Sequence, residues 1–163
     1  MRLFHGSNQD IEVIDLSQGL RYKDFGQGFY LTPDWETAKR MAEKRARLFK
    51  GNPVVIEYEL DECKVDSLGL KVKRFPEKAT VEWASFVDRN RDRKQAPIEN
   101  EYDIISGPIA DDGVAYQLGR YHEGTSSLEE IAIGLQDKFL DQQYFIGTAR
   151  ALQCLTKKNV TVL

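Results

Sequence analysis

Cysteine is scarce in this chain: Cys63 and Cys154 are the only two in 163 residues. They stand far apart with neither a CxxC pair nor a His/Cys cluster around them, so neither a disulfide framework nor a zinc site is expected, and both read as free thiols. Long apolar runs are also missing. Nothing approaches the roughly 20 consecutive apolar residues of a membrane-spanning helix, and the start Met1-Arg2-Leu3-Phe4-His5 lacks the apolar core of a signal peptide. The expectation is a cytoplasmic protein with no membrane partner. An appendage-type secretion machine needs no such N-terminal mark, so export as an effector stays compatible with it. Charge of one sign is lacking too. A net charge of −3 gives no global attraction to nucleic acid or acidic membranes, and any polyanion site has to be a local patch. No internal repeat or low-complexity segment occurs.

What is present describes an ordinary folded domain, with 41% hydrophobic and 30% charged residues. The length suits a single domain over residues 1–163, able to bury about two-thirds of its unfolded surface. Leu3 to His5 reads as a short strand, and Ile11 to Leu16 as a second strand or an extended arm. A polar loop follows from Ser17 to Gln27, carrying Arg21, Tyr22 and Lys23. From Pro33 to Lys50 the residues Trp35, Ala38, Met41, Ala42, Leu48 and Phe49 recur at helical spacing, with Thr32-Pro33 as the start signal and Gly51 as the stop. The other face of this helix is basic (Lys39, Arg40, Lys44, Arg45, Arg47, Lys50) and reads as a solvated face with Glu36–Arg40 and Glu43–Arg47 pairs, or else as a docking surface for nucleic acid or an acidic partner.

Beyond Pro53, Val54, Ile56, Tyr58 and Leu60 alternate with Val55, Glu57 and Glu59, the pattern of a strand with one wet face. Asp61 to Pro76 reads as loops with a short strand near Leu70 to Val72. Glu77 to Arg91 carries a helical stripe of Ala79, Trp83, Phe86, Val87 and Asn90, of core character, and Asp88 to Lys94 is a mixed-charge tail that reads as a solvated helix end and loop. Tyr102 to Gly107 forms a strand that Pro108 ends, and a helix passes through Val114 to Leu118, capped by Asp111 or Asp112. Ser127-Leu128-Glu129-Glu130 is a capping box that opens a helix ending near Leu140. Strand Gln143 to Thr148, a short helix Ala149 to Leu155 and a strand Val160 to Leu163 complete the order. Short strands interrupted by helices, without alternating βαβ units, give an α+β fold.

The run that reads as chemistry is Asp24-Phe25-Gly26-Gln27-Gly28-Phe29-Tyr30-Leu31-Thr32, a loop bending at two glycines into a β-prone tetrapeptide that delivers Tyr30. Upstream stands His5-Gly6-Ser7 at the end of the first strand, and downstream Gln143 opens a late strand. A turn before a core strand and a hydrogen-bonded structural His account for each feature taken alone. In this order they resemble the ADP-ribosyltransferase superfamily. The spelling is most similar to a bacterial family of unknown function assigned there, in which His-Gly-Ser, Asp-Phe-Gly-x-Gly-Phe-Tyr-Leu-Thr and Gly-Pro-x-Ala-Asp recur. The last appears here as Gly107-Pro108-Ile109-Ala110-Asp111.

The resemblance implies a split, mixed two-sheet core with flanking helices, and NAD as co-substrate without a metal. It implies breakage of the nicotinamide–ribose bond and mono-transfer of ADP-ribose to a protein or nucleic-acid acceptor, as a toxin or effector, with an antitoxin or inhibitor protein as a further partner. His5 would bond ribose hydroxyls, the Gly6 backbone would grip the nicotinamide amide, and Tyr30 would stack on the nicotinamide ring. Ser7, Gly28 and Thr32 would complete the pocket, and Arg21 would meet the pyrophosphate. The third position is usually Glu in active transferases and is Gln143 here. Gln143 would stand with His5 and Tyr30 as the catalytic residues, its amide bonding a ribose hydroxyl, but an amide carries no charge and is no base, so Asp111 and Asp112 are candidate replacement acids. A non-catalytic NAD or ADP-ribose-binding module and an NAD glycohydrolase stand as the alternatives.

Overall fold

A computed structural model describes residues 1–99, 101–136 and 138–163. The chain is α+β, with two sheets and six helices among the described residues. One sheet carries strands β1 (Arg2–Ser7), β3 (Val54–Leu60) and β7 (Leu155–Val162), in the order β1-β3-β7. The other carries β2 (Phe29–Leu31), β4 (Val72–Arg74), β5 (Ile104–Pro108) and β6 (Gln142–Ile146), in the order β2-β6-β5-β4. Among the described strands only β4 and β5 pair in parallel. Among the described residues a single bridge joins the sheets, where Phe4 N–H donates to Thr32 O at 2.8 Å and Thr32 N–H donates to Phe4 O at 2.9 Å.

Helix α1 (Trp35–Phe49) covers the outer face of the first sheet, packing Ala38 and Ala42 on Phe4 and Val55. The alternation in β3 is realised: Val54, Ile56, Tyr58 and Leu60 turn inward to join Leu3, Phe29, Leu31, Ile104 and Ile146 between the sheets. The second sheet is covered by α3 (Val81–Arg91), α4 (Asp112–His122) and α5 (Leu128–Leu135), whose Trp83, Val87, Val114, Leu118, Ile131 and Leu135 enclose Phe25 and Phe145. Each such fully buried side chain contributes about 1.5–3 kcal/mol. The Ser127 capping box is present, and Trp83 lies wholly in the core.

Several local expectations are corrected. Residues 11–16 form no strand; they lead into a single helical turn, Leu16–Gln18, capped by Asp15. A two-turn helix α2 (Glu62–Ser67), capped by Asp61, occupies what reads as loop. The strand placed near Leu70 to Val72 lies at Val72–Arg74. Helix α1 is capped by Asp34, whose carboxylate accepts from Thr37 N–H at 2.7 Å, while Thr32 Oγ1 accepts from Asp34 N–H. Met41, Leu48 and Phe49 are exposed, so the buried stripe of α1 is the narrower Thr37, Ala38 and Ala42. Helix α3 starts after Thr80, not Glu77, because Thr80 Oγ1 accepts from Trp83 N–H. Helix α5 ends at Leu135 rather than near Leu140. A four-residue helix α6 (Ala149–Leu152) gives way to β7 earlier than expected; Lys157, Lys158 and Asn159 ride in an edge strand, where polar side chains are solvated.

Candidate functional site

The seam between the sheets brings His5 and Tyr30 together. Past the Phe4–Thr32 bridge the strands part, and the His5 side chain replaces a ladder bond: Nδ1 lies 2.7 Å from Tyr30 O. Only a protonated Nδ1 can satisfy a carbonyl, so the neutral ring carries its hydrogen there and leaves the Nε2 lone pair as an acceptor. Burial pushes the His5 pKa down to about 4; the Tyr30 carbonyl opposes this, and the Arg45 and Lys23 charges add to it. The imidazole is therefore neutral at physiological pH. It stacks on Phe29, with centroids 4.3 Å apart.

Tyr30 is half-buried, with its ring edge-on to Phe145 at 5.1 Å. Its hydroxyl donates to Gly26 O at 2.7 Å and accepts from Phe25 N–H at 3.0 Å. That closes the loop at Gly26, which adopts φ +94°, a region open to glycine at little cost. The hydroxyl is thus engaged within the protein, and burial raises its pKa well above the ordinary tyrosine value.

Gly6 and Gly28 are required for packing. A Cβ on Gly6 would lie 2.1 Å from Ala38 O, so its bare face admits α1; a Cβ on Gly28 would lie 2.4 Å from Cε2 of Phe145. Ser7 and Thr32 are buried beside the seam, and Arg21 is exposed on the loop.

Gln143 sits 6% exposed at the start of β6, on the same sheet face as Phe145. Its Nε2 donates to Asp24 Oδ2 at 2.7 Å and to Pro108 O at 3.1 Å. Asp24 is itself buried and saturated. Ala110 N–H donates to Oδ2 at 2.9 Å, and Arg91, at the end of α3, donates from Nε to Oδ1 at 2.8 Å and from Nη2 to Ala110 O. Trp83 Nε1 also donates to Pro108 O. The Asp-Phe-Gly phrase, the Gly-Pro-x-Ala-Asp phrase and Gln143 are thereby tied in one buried knot.

The carboxylates weighed as replacement acids are occupied or peripheral. Asp111 caps α4, accepting from Val114 N–H at 2.9 Å, and Asp112 is exposed in the first turn. Arg91, assigned to a solvated tail by its neighbours, is instead the cation of the knot; its place at the end of the Trp83–Val87–Asn90 stripe was the available signal. The expected Glu36–Arg40 and Glu43–Arg47 pairs are not among the ion pairs of the described residues. Arg40 reaches Asp141 at 2.6 Å, with Thr37 Oγ1 bonded to the same carboxylate. No group of three metal-ligating side chains gathers among the described residues, and no helix among them is long and apolar enough to cross a membrane.

A comparison with curated proteins finds no match. The family model described as "Protein of unknown function (DUF3990)" matches residues 1–156. The chain belongs to this family.

Proposed function

We propose that the chain is an NAD-dependent mono-ADP-ribosyltransferase whose site lies at the seam between the two sheets. The observation that carries this reading is the His5–Tyr30 pair, which joins a neutral imidazole with a free acceptor nitrogen to a half-buried aromatic ring beside the Phe4–Thr32 bridge between the sheets. His5 Nε2 would accept from a ribose hydroxyl of NAD and hold the sugar, and Tyr30 would set one wall of the nicotinamide pocket. The nicotinamide–ribose C–N bond breaks with its electron pair leaving on the nicotinamide nitrogen. The oxocarbenium-like ribose then takes a nucleophile from a protein or nucleic-acid acceptor, and the nucleophile's proton passes to solvent or to a base of the acceptor. In this reading Gln143 supports the Asp24 loop that carries Tyr30 and is no base. Toxin or effector use, with an inhibitor protein, is the role the resemblance implies.

A second reading, a non-catalytic NAD or ADP-ribose-binding module, is favoured by one observation: Gln143 is buried and its amide committed to Asp24 and Pro108. Nicotinamide release from NAD, with and without cell lysate, separates the readings. Release that needs lysate and His5 supports a transferase, release without lysate a glycohydrolase. Binding without release supports the module.

A further inference from the structure

A cavity of about 100 Å³ opens into the inter-sheet core beside the start of β1 and the end of β3, where it touches Met1 and Leu60; His5 lies further along the same ladder, opposite Ile56. From the second sheet it takes Val72, Arg74, Ile104, Ser106 and Tyr144. Strand alternation sets these on the face turned to the first sheet, opposite the face that carries Tyr30 and Phe145. The floor is apolar, with Leu60, Val65 and Ile104 no more than 4% exposed. The rim carries both signs of charge. Arg74 stands on β4, while Glu62 and Asp66 stand one turn apart on α2, whose Lys64 does not line the cavity. Arg74, Glu62 and Asp66 enter no ion pair among the described residues. The Ser106 and Tyr144 hydroxyls, half-buried on the same sheet as Arg74, make no hydrogen bond among the described residues. The terminal ammonium of Met1 is engaged, donating to Leu60 O at 2.7 Å. Both charged walls bear on Tyr144: burial and then the Glu62 charge raise its pKa, and the Arg74 charge opposes them.

Opposite charges on long side chains close into a pair where nothing separates them, as Lys73 does with Glu82 next to Arg74 in sequence. Across the cavity they stay apart, so a guest with one charge of each sign can meet both. A guanidinium fork matches a carboxylate, and the two hydroxyls are further donors to it. Two carboxylates at i and i+4 repel each other on a helix, and an ammonium between them reverses that effect. The volume is far below the roughly 300–1,000 Å³ of a drug-sized pocket and suits a short aliphatic chain over Leu60, Val65 and Ile104. We infer that this cavity binds a small free amino acid with an aliphatic side chain, its carboxylate on Arg74 and Tyr144 and its ammonium between Glu62 and Asp66. The site is independent of the NAD reading, since it shares no residue with the His5–Tyr30 pair.

The test is an amide NMR titration of the full chain with L-valine, with isovalerate, which lacks the ammonium, and with isobutylamine, which lacks the carboxylate. Valine is expected to bind saturably with a Kd of about 1 mM or tighter, shifting the amides of Leu60, Val65, Val72, Ile104 and Ser106. Each analogue should bind about tenfold or more weakly, because it leaves one charged wall unmatched. Arg74→Gln and Glu62→Gln should each weaken valine by about tenfold, and the control Arg47→Gln, on α1, should not. Arg74 and Glu62 are exposed, so both variants should keep the wild-type spectrum away from the cavity. No saturable shift with valine up to about 10 mM, shifts centred elsewhere, an analogue that binds as tightly as valine, or undiminished affinity in both variants would overturn the site.

Discussion

Gln143 and Asp24 are 119 positions apart in sequence and 2.7 Å apart in the fold, with Gln143 Nε2 donating to Asp24 Oδ2 in a buried setting. Asp24 already answers Arg91 and the Ala110 N–H, so a neutral donor is what position 143 can hold without adding charge. Gln143→Glu would face carboxylate with carboxylate, and burial and repulsion would raise the new acid's pKa above its unfolded value. The stability cost is therefore small below the unfolded glutamate range and grows as pH rises. Thermal melting should show a larger gap between variant and wild type at pH 8 than at pH 5, of about 1–3 kcal/mol; a gap independent of pH would contradict the geometry.

Removing Asp24 strands a guanidinium, a backbone N–H and an amide at once. Asp24→Ala should cost about 3 kcal/mol, at the lower end for a broken buried pair because the Arg91 side chain is 30% exposed. Urea unfolding measures it, and a loss under 1 kcal/mol would show the knot to be weak.

Two glycines offer opposite outcomes. Gly6→Ala places a methyl 2.1 Å from Ala38 O and should cost about 3 kcal/mol or prevent folding, since α1 has to move. Gly119 in α4 has open space around its Cα, and Gly119→Ala should stabilise by about 0.5–1 kcal/mol. Equal effects in chemical denaturation would count against the packing described.

His5 makes the fold acid-sensitive in a defined window. Its folded pKa of about 4 lies below the ordinary 6.5, so the unfolded chain binds the proton more readily. The stability is complete above pH 6.5 and is lost as pH falls toward 4, by up to roughly 3 kcal/mol. His5→Gln should flatten that part of the stability profile, and an NMR titration of wild type should show the imidazole neutral at pH 6. An ordinary titration near 6.5 would contradict the burial argument.

The sequence made the α+β class, the β3 alternation, the Ser127 capping box and the His5 and Tyr30 strands legible, because each rests on local periodicity or capping chemistry. It hid α2, a six-residue helix too short to establish a period, and the true length of β7, whose polar Lys157-Lys158-Asn159 reflects an edge position that sequence alone does not show. The knot was out of reach for another reason. Asp24, Arg91, Ala110 and Gln143 belong to four separate elements, and their charges and amides reveal partners only when the chain is folded. Arg45 is similar: among four other basic residues on α1, nothing local marks it as the one with a solvent-shielded Nε.

An NAD site at His5 and Tyr30, as proposed, would make nicotinamide release from NAD depend on both side chains. Purified protein would be assayed alone and with whole-cell lysate, beside His5→Gln and Tyr30→Ala variants confirmed folded by circular dichroism. The account predicts lysate-dependent release by wild type and loss of at least about tenfold in each variant. Release unchanged in both variants, or a wild-type protein that neither releases nicotinamide nor binds NAD, would contradict it.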